Sequence, residues 1–309
     1  MGIAILSGIL SSLSTPPPTP SPSGTSTPYR ATPTDLPSRL PTRFIACVRR
    51  PESASRIKQS LTPYTATTPI TILQDENLRG VQAADIVLLC CKPQMVNDIL
   101  SDPDIERALR GKLLISICAG VTVEQLKNAL QAGNMTPGDD VTPCTCVRAM
   151  PNTASGIRES MTVVCTSTPP LPESLERVVT WVFNRIGRVV YLPASAMDAS
   201  TALCGSGPAF FALILEAIAD GAVAMGLPRA EAQLMAAQTM RGTAGMVLGG
   251  EHPALVREKV GTPGGCTIGG LLVLEEGRVR GTVARAVREA TVVASQLGRG
   301  VQGVNGTRF

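Results

Sequence analysis

Between residues 43 and 192 the hydrophobic positions follow two alternating rhythms, short continuous or alternating apolar runs and longer stretches with helical spacing. The runs RFIACV (43–48), TPITIL (68–73), ADIVLLCC (84–91), KLLISICA (112–119), TCVRAM (145–150), SMTVVC (160–165) and RVVYL (188–192) read as strands. Between them, ESASRIKQSL (52–61), ENLRGVQ (76–82), PQMVNDIL (93–100), TVEQLKNAL (122–130) and LPESLERVVTWVFNRI (171–186) read as helices. The run 84–91 is apolar without interruption, as suits a parallel strand covered on both faces. Thr122 precedes its helix with Gln125 three residues on, the spacing of a capping box. Strands alternating with helices argue an α/β domain with a parallel sheet up to about residue 192.

From Met197 the spacing is helical to the end, broken by Gly and Pro. The segment 208–225 carries only two charges, Glu216 and Asp220, starts with Pro208 and stops at Gly226. Its two acids interrupt a membrane-spanning run, and a helix apolar nearly all round fits burial against a second subunit better. Residues 1–13 are apolar but short, and read as a helix with no basic lead-in of a signal segment.

Composition narrows the picture further. Residues 14–41 hold nine of the chain's 25 Pro among Ser and Thr, too little apolar surface to offset ordering, so this stretch reads as a disordered insertion. A net charge of +4 and only 3% aromatic residues give no reason to expect a nucleic-acid partner. A single His, His252 before Pro253, argues against a histidine metal site or a Ser-His-Asp triad; it reads as a surface or capping residue. Nine Cys scattered in apolar runs read as small buried hydrophobes of a reducing compartment, with no metal implied.

Ligands of open α/β sheets lie beyond the carboxyl ends of the strands. After 43–48 come Arg49, Arg50 and Ser53, where an NAD reader would place an acid; Arg suits a 2′-phosphate, the alternative being a solvated charged loop. CCKPQ (90–94) and ICAGV (117–121) each end a buried run, and their backbones suit a cofactor's ribose and nicotinamide, or are simple turns. CGSGPAF (204–210) and VGTPGGCTIGG (260–270) each place Gly and small hydroxyl residues before a helix, where free N–H groups bind anions such as a small carboxylate; tight interhelical turns are the alternative. Gly205, Ser206 and Gly207 belong to the first of these, and Asn152 in MPNTA adds a polar contact at a strand end.

The runs VRRPESA, KPQMV, ICAGVTVEQL, RAMPNTA, IRESMTV, LCGSGPAFF, ADGAVAMGLPR and VGTPGGCTIGGLLVLEEG together resemble pyrroline-5-carboxylate reductase, over nearly the whole chain except the Pro-rich insertion and the extreme ends. The resemblance implies a Rossmann-like NADP-binding domain over 1–192 and an all-helical dimerisation and substrate domain over 193–309, with the active site between the cofactor domain of one protomer and the helices of the dimer. It implies cofactor contacts at Cys91, Lys92, Pro93, Cys118, Ala119 and Lys259, and substrate-carboxylate contacts at Cys266 and Thr267, with Thr262, Gly264 and Gly265 shaping that turn. The implied reaction is hydride transfer from NADPH, with NADH also open, to the cyclic imine 1-pyrroline-5-carboxylate, giving L-proline in the last step of proline biosynthesis. Such a site must hold two rings at reacting distance and anchor a carboxylate, work that needs few titratable groups. Thr267 is the residue expected to act on the substrate, with water or a pre-protonated imine as proton source. The implied setting is a cytoplasmic homodimer, or a larger assembly of dimers, with no nucleic acid and no membrane.

One feature departs from the family. The family's first strand leads into GxGxxG, whereas Met1-Gly2 followed by IAILSGIL aligns only with the last glycine, Gly2, and its helix. The expectation is a chain whose true start lies upstream, and unpaired edges where that strand would lie. A cofactor-deficient inactive dimer and a reductase of another cyclic imine carboxylate stand as the alternatives.

Overall fold

The computed structural model describes residues 1–14, 36–131, 142–299, 301, 303, 304, 306 and 307; residues 15–35 of the expected Pro-rich insertion lie outside them. The first elements are α1 (Gly2–Ser14), β1 (Phe44–Val48), α2 (Pro51–Leu61), β2 (Ile70–Gln74), α3 (Asn77–Ala83) and β3 (Ile86–Leu89). Then follow α4 (Val96–Leu100), α5 (Pro103–Leu109), β4 (Leu113–Ser116), α6 (Val123–Gln131), β5 (Thr145–Met150), β6 (Ser160–Cys165), α7 (Glu173–Asn184) and β7 (Gly187–Leu192). The helical part comprises α8 (Met197–Ser200), α9 (Gly207–Ala224), α10 (Arg229–Leu248), α11 (Pro253–Val260), α12 (Cys266–Glu276) and α13 (Val279–Gly298).

Local chemistry sets several of these boundaries. At the start of α6 the Thr122 hydroxyl accepts from Gln125 N–H at 3.1 Å and the Gln125 side chain accepts from Thr122 N–H at 2.8 Å. This reciprocal pair satisfies two end groups, each cap being worth about 1 kcal/mol. Pro51 opens α2, Asp102 caps α5 through Asp104 N–H, and His252 caps α11 by accepting from Ala254 N–H at 3.2 Å. The capping role expected of His252 is therefore the one it has.

The described residues divide into two units, one of residues up to 205 together with those from 291 on, and one of residues 206–290. The expected division after residue 192 marks where the strands end; the unit boundary falls later because α8 packs on β6 of the first unit.

In the first unit the strands form two ladders, β1–β2 and β3-β4-β5-β6-β7. β4 is buried at all four positions and sorts its side chains by parity: Leu113 and Ile115 join Val147, Val164, Ile5, Val179 and Phe183 on the face covered by α1 and α7. Leu114 instead joins Leu89, Val96, Leu109, Leu126 and Cys146 on the opposite face, under α4, α5 and α6. Two cores on two faces explain why these strands read as continuous apolar runs.

Three expectations change. The sheet is parallel except for one pair: β5 and β6 are antiparallel, since residues 151–159 between them hold only a 3-10 turn and a parallel crossover needs a dozen residues or more. The run 84–91 is packed on both faces, Ile86 and Leu88 against one core and Val87 and Leu89 against the other, but the cover is partial: β3 ends its ladder and Ile86, Val87 and Leu88 stay half-buried. Among the cysteines only Cys118, Cys146 and Cys165 are buried, while Cys47, Cys90 and Cys266 are exposed.

In the helical part α9 shows Phe211, Leu213 and Ile218 more than half exposed. The continuous helix over Ala194–Ala224 is long and apolar enough to cross a membrane, by length and composition alone.

Candidate active site

The first unit gathers several expected cofactor residues at the carboxyl ends of β3 and β4. Gly2 is the first residue of α1, and a Cβ there would stand 3.2 Å from Cys90 Sγ, so the helix start comes down onto the end of β3 at a position that favours glycine. Cys91, Lys92 and Pro93 follow β3, with Lys92 and Pro93 exposed and Met95 N–H returning to Lys92 O at 2.9 Å. Cys118 and Ala119 follow β4, and Ile117 N–H extends the ladder to Leu89 O at 3.1 Å. Gly120 turns this second loop at φ +76, a conformation glycine adopts without penalty, close to Gly298 at the end of α13.

The thiols here are electrostatically linked. A hydrogen bond from Cys91, then one from Ser116, holds the Cys118 thiol below the ordinary cysteine range, and the same bond holds Cys91 above it. Burial, with Cys118 nearby, pushes Cys90 up to about 12. Cys90 is exposed as a residue, yet its sulfur is covered by the start of α1, and that local cover governs its titration.

Arg49, Arg50 and Ser53 stand at the end of β1, in the other ladder. Both Arg side chains are exposed, Arg50 occupies the position before α2, and Ser53 N–H bonds Arg50 O at 3.0 Å.

β5 runs parallel to β4, so Asn152 leaves the sheet on the same side as Cys118. Its side-chain oxygen accepts from Ala154 N–H at 3.0 Å and its backbone N–H donates to Ser160 Oγ at 3.0 Å, which makes Asn152 a turn cap as well as a candidate contact. Arg148, four residues earlier, escaped the sequence reading. It is 7% exposed, and burial lowers its pKa while the Asp198 charge raises it. Its signal was a lone cation inside the apolar run TCVRAM.

The two glycine-rich segments differ. Residues Thr201–Ser206 form a π-helical turn that carries α8 directly into α9, so Gly205, Ser206 and Gly207 are not a turn in front of a free helix end. This corrects the expectation that their N–H groups are open for an anion; such π-turns are frequent at functional sites for a different reason, the local bulge they create. In the second unit, residues 262–265 form a type II turn: Pro263 sits at its second position, Gly264 at φ +68 at its third, and Gly265 N–H bonds Thr262 O at 3.0 Å. Gly265 then caps α12 without a side chain, so the amides of Cys266 and Thr267 open that helix with no side-chain partner. Thr267 is half-buried and Cys266 exposed. Lys259, in the last turn of α11, is paired with Glu251 at 2.6 Å.

A groove of about 430 Å³ between α4 and α6 includes only Pro93 of these residues and lies to one side of the strand-end cluster.

Comparison with known proteins bears on the whole chain. A family model described as pyrroline-5-carboxylate reductase dimerisation matches residues 194–297, and one described as NADP oxidoreductase coenzyme F420-dependent matches residues 32–120. The chain is 63% identical to a pyrroline-5-carboxylate reductase of Lophium arboricola, covering all of this chain and 94% of that protein. It is 56% identical to that of Neurospora crassa, over all of this chain and 93% of the other. Among solved structures it is similar to a pyrroline carboxylate reductase of Plasmodium falciparum with NADP bound, at 25% identity and a TM-score of 0.66 over 83% of this chain and 98% of that one.

Proposed function

The chain belongs to the pyrroline-5-carboxylate reductase family, and from that premise we propose how its residues carry out the NADPH-dependent reduction of 1-pyrroline-5-carboxylate to L-proline. It is an NADP-dependent oxidoreductase with a Rossmann-like domain followed by a helical dimerisation domain, and it works as a homodimer on a small-molecule substrate. The two alternatives, an inactive dimer and a reductase of another imine, are not favoured by relatives of this identity.

The chemistry of the residues present fits the cofactor. Two exposed guanidinium groups, Arg49 and Arg50, suit a 2′-phosphate, with Ser53 beside them. The start of α1 at Gly2 presents unpaired N–H groups and the positive end of the helix dipole to a phosphate. Cys91, Lys92 and Pro93, with Cys118 and Ala119, line the loops that orient the remainder. Lys259 gives a further contact; its exposed pair with Glu251 is worth about 0–1 kcal/mol and yields readily to a phosphate. When bound, NADPH supplies the hydride to the imine carbon.

The substrate end rests on the type II turn of residues 262–265, the observation that carries this reading. Gly264 and Gly265 set the backbone, and the free amides of Cys266 and Thr267 at the start of α12 take the carboxylate, where the dipole favours an anion. The Thr267 hydroxyl bonds the substrate and is the catalytic residue of the proposal. Thr262, Asn152, Gly205, Ser206 and Gly207 complete the set as shaping or polar contacts. With no committed acid among them, the proton on the imine nitrogen comes from water or enters with the substrate.

The functional division follows as a cofactor domain over 1–192 and a dimerisation and substrate domain over 193–309. The apolar positions of α9 are covered by the second copy and not by lipid, dimers assemble further into larger homo-oligomers, and the enzyme works in the cytoplasm without nucleic acid. The test is direct: the purified chain oxidises NADPH with the imine and accumulates L-proline. Replacing Arg49→Ala together with Arg50→Ala weakens NADPH by about tenfold or more and leaves NADH nearly unchanged, since charge-assisted bonds are worth about 1.5–3 kcal/mol. Equal losses for both nucleotides, measured by fluorescence titration, remove the 2′-phosphate assignment.

A further inference from the structure

Cys91 and Cys118 stand two residues beyond Leu89 and Ser116, the last paired positions of β3 and β4. Carrying the parallel register forward sets these two cysteines opposite one another, and Ile117 N–H to Leu89 O at 3.1 Å shows the ladder continuing towards them. Neighbouring strands lie about 4.8 Å apart, within the span of about 4.4–6.8 Å that disulfide Cα atoms occupy. The two sulfurs are 3.8 Å apart, and Cys118 Sγ also donates towards Cys91 O at 3.3 Å. Cys118 is buried and Cys91 half-buried, so the pair is reached from the Cys91 side.

We propose that Cys91 and Cys118 are a reversible redox pair, oxidised to a disulfide by a small hydroperoxide, and that the bond lowers the protein's affinity for NADPH. The inference rests on the reading of the loops after β3 and β4 as cofactor loops. The lowered pKa of Cys118 supports it, since the thiolate is the nucleophile. In the first step the Cys118 thiolate attacks the peroxide oxygen; the O–O bond breaks, hydroxide leaves and takes up a proton as water, and Cys118 becomes a sulfenic acid. In the second step Cys91 sulfur attacks the sulfenic sulfur, the S–O bond breaks, and the hydroxyl leaves as water with the Cys91 proton. Two thiols and one hydrogen peroxide thus give one disulfide and two waters. Closing the bond brings the sulfurs from 3.8 Å to about 2.05 Å by turning the two side chains, and locks to one another the loops that carry Lys92 and Ala119. By linkage, bound NADPH disfavours the disulfide at equilibrium by the same factor.

The experiment treats the purified full-length chain with hydrogen peroxide, alkylates the remaining thiols, and maps peptides without reduction. A Cys91–Cys118 cross-linked peptide is expected, with an NADPH dissociation constant raised about tenfold, within the range usual for coupled sites, and restored by dithiothreitol. Cys118→Ser and Cys91→Ser each abolish the reversible loss, judged against the same variant before peroxide, whereas Cys47→Ser keeps it. Cys91 and Cys118 both remaining alkylatable while other thiols oxidise overturns the redox pair. A cross-link that leaves NADPH affinity unchanged overturns the effect on binding and counts against the cofactor-loop reading alone. The cross-link is read on the unsubstituted chain, so a variant that fails to fold does not remove the test.

Discussion

Residues 204–207 (CGSG) and 261–265 (GTPGG) are alike in composition and unlike in structure. The first is absorbed into a helix that runs from α8 through a π-turn into α9; the second breaks the chain between α11 and α12 and frees a helix start. What separates them is not the number of glycines. In 262–265 a proline fixes the second turn position and Gly264 adopts φ +68, whereas no glycine of 204–207 has positive φ. A glycine-rich stretch makes an anion cradle only where the backbone must leave the helix, and there a side chain is excluded by geometry.

The sharpest way to break this contrast is Gly265→Ala. A Cβ at Gly265 would stand 2.4 Å from Thr262 Oγ1, which must turn away, and 3.2 Å from Thr262 O, which must give by a few tenths of an ångström, so alanine strains the turn. The resulting displacement of the Cys266 and Thr267 amides lowers kcat/KM for the imine by more than about tenfold in steady-state assays, towards the about 100-fold that a misplacement of about 1 Å costs. An undiminished value would mean that this turn does not position the substrate. Thr267→Ala comes next: it removes one hydroxyl and leaves the amides, lowering kcat/KM about tenfold, near the low end for a bond to a charged group. Thr267→Ser restores most of it, and failure of that rescue points to packing instead of hydrogen bonding.

Much of the first unit was legible in the sequence because its signals are local. β5 and β6 fall on TCVRAM and SMTVVC to the residue, and the Thr122–Gln125 box forms as its spacing requires. Cover was not legible: the apolar run of β3 is half-buried because burial depends on which strand lies beside it, and nothing within 84–91 encodes that. The antiparallel turn from β5 to β6 was written in the short link 151–159 and passed over for the prevailing βα rhythm. In the candidate site, the loops after β3 and β4 and the turn at 262–265 were readable from strand ends and glycine chemistry. The π-turn was not, since helix continuity through 201–206 is decided by the helices on either side, and Arg148 was hidden by reading its strand only for apolar content.

The smallest expected effect has the opposite sign and tests the other half of the contrast. At Gly205 a Cβ would meet only ordinary contacts, Thr201 Cγ2 at 3.8 Å and Met150 Sδ at 3.9 Å, in a backbone without positive φ. If the segment is helical, alanine there restricts the unfolded chain without straining the folded one. Gly205→Ala then raises unfolding stability by about 0.5–1 kcal/mol in urea titration. Gly265→Ala lowers it in the same assay, as the Thr262 contact requires. A loss of stability at both positions would put residues 204–207 in a true turn after all, and the two segments would then share one mechanism of anion binding.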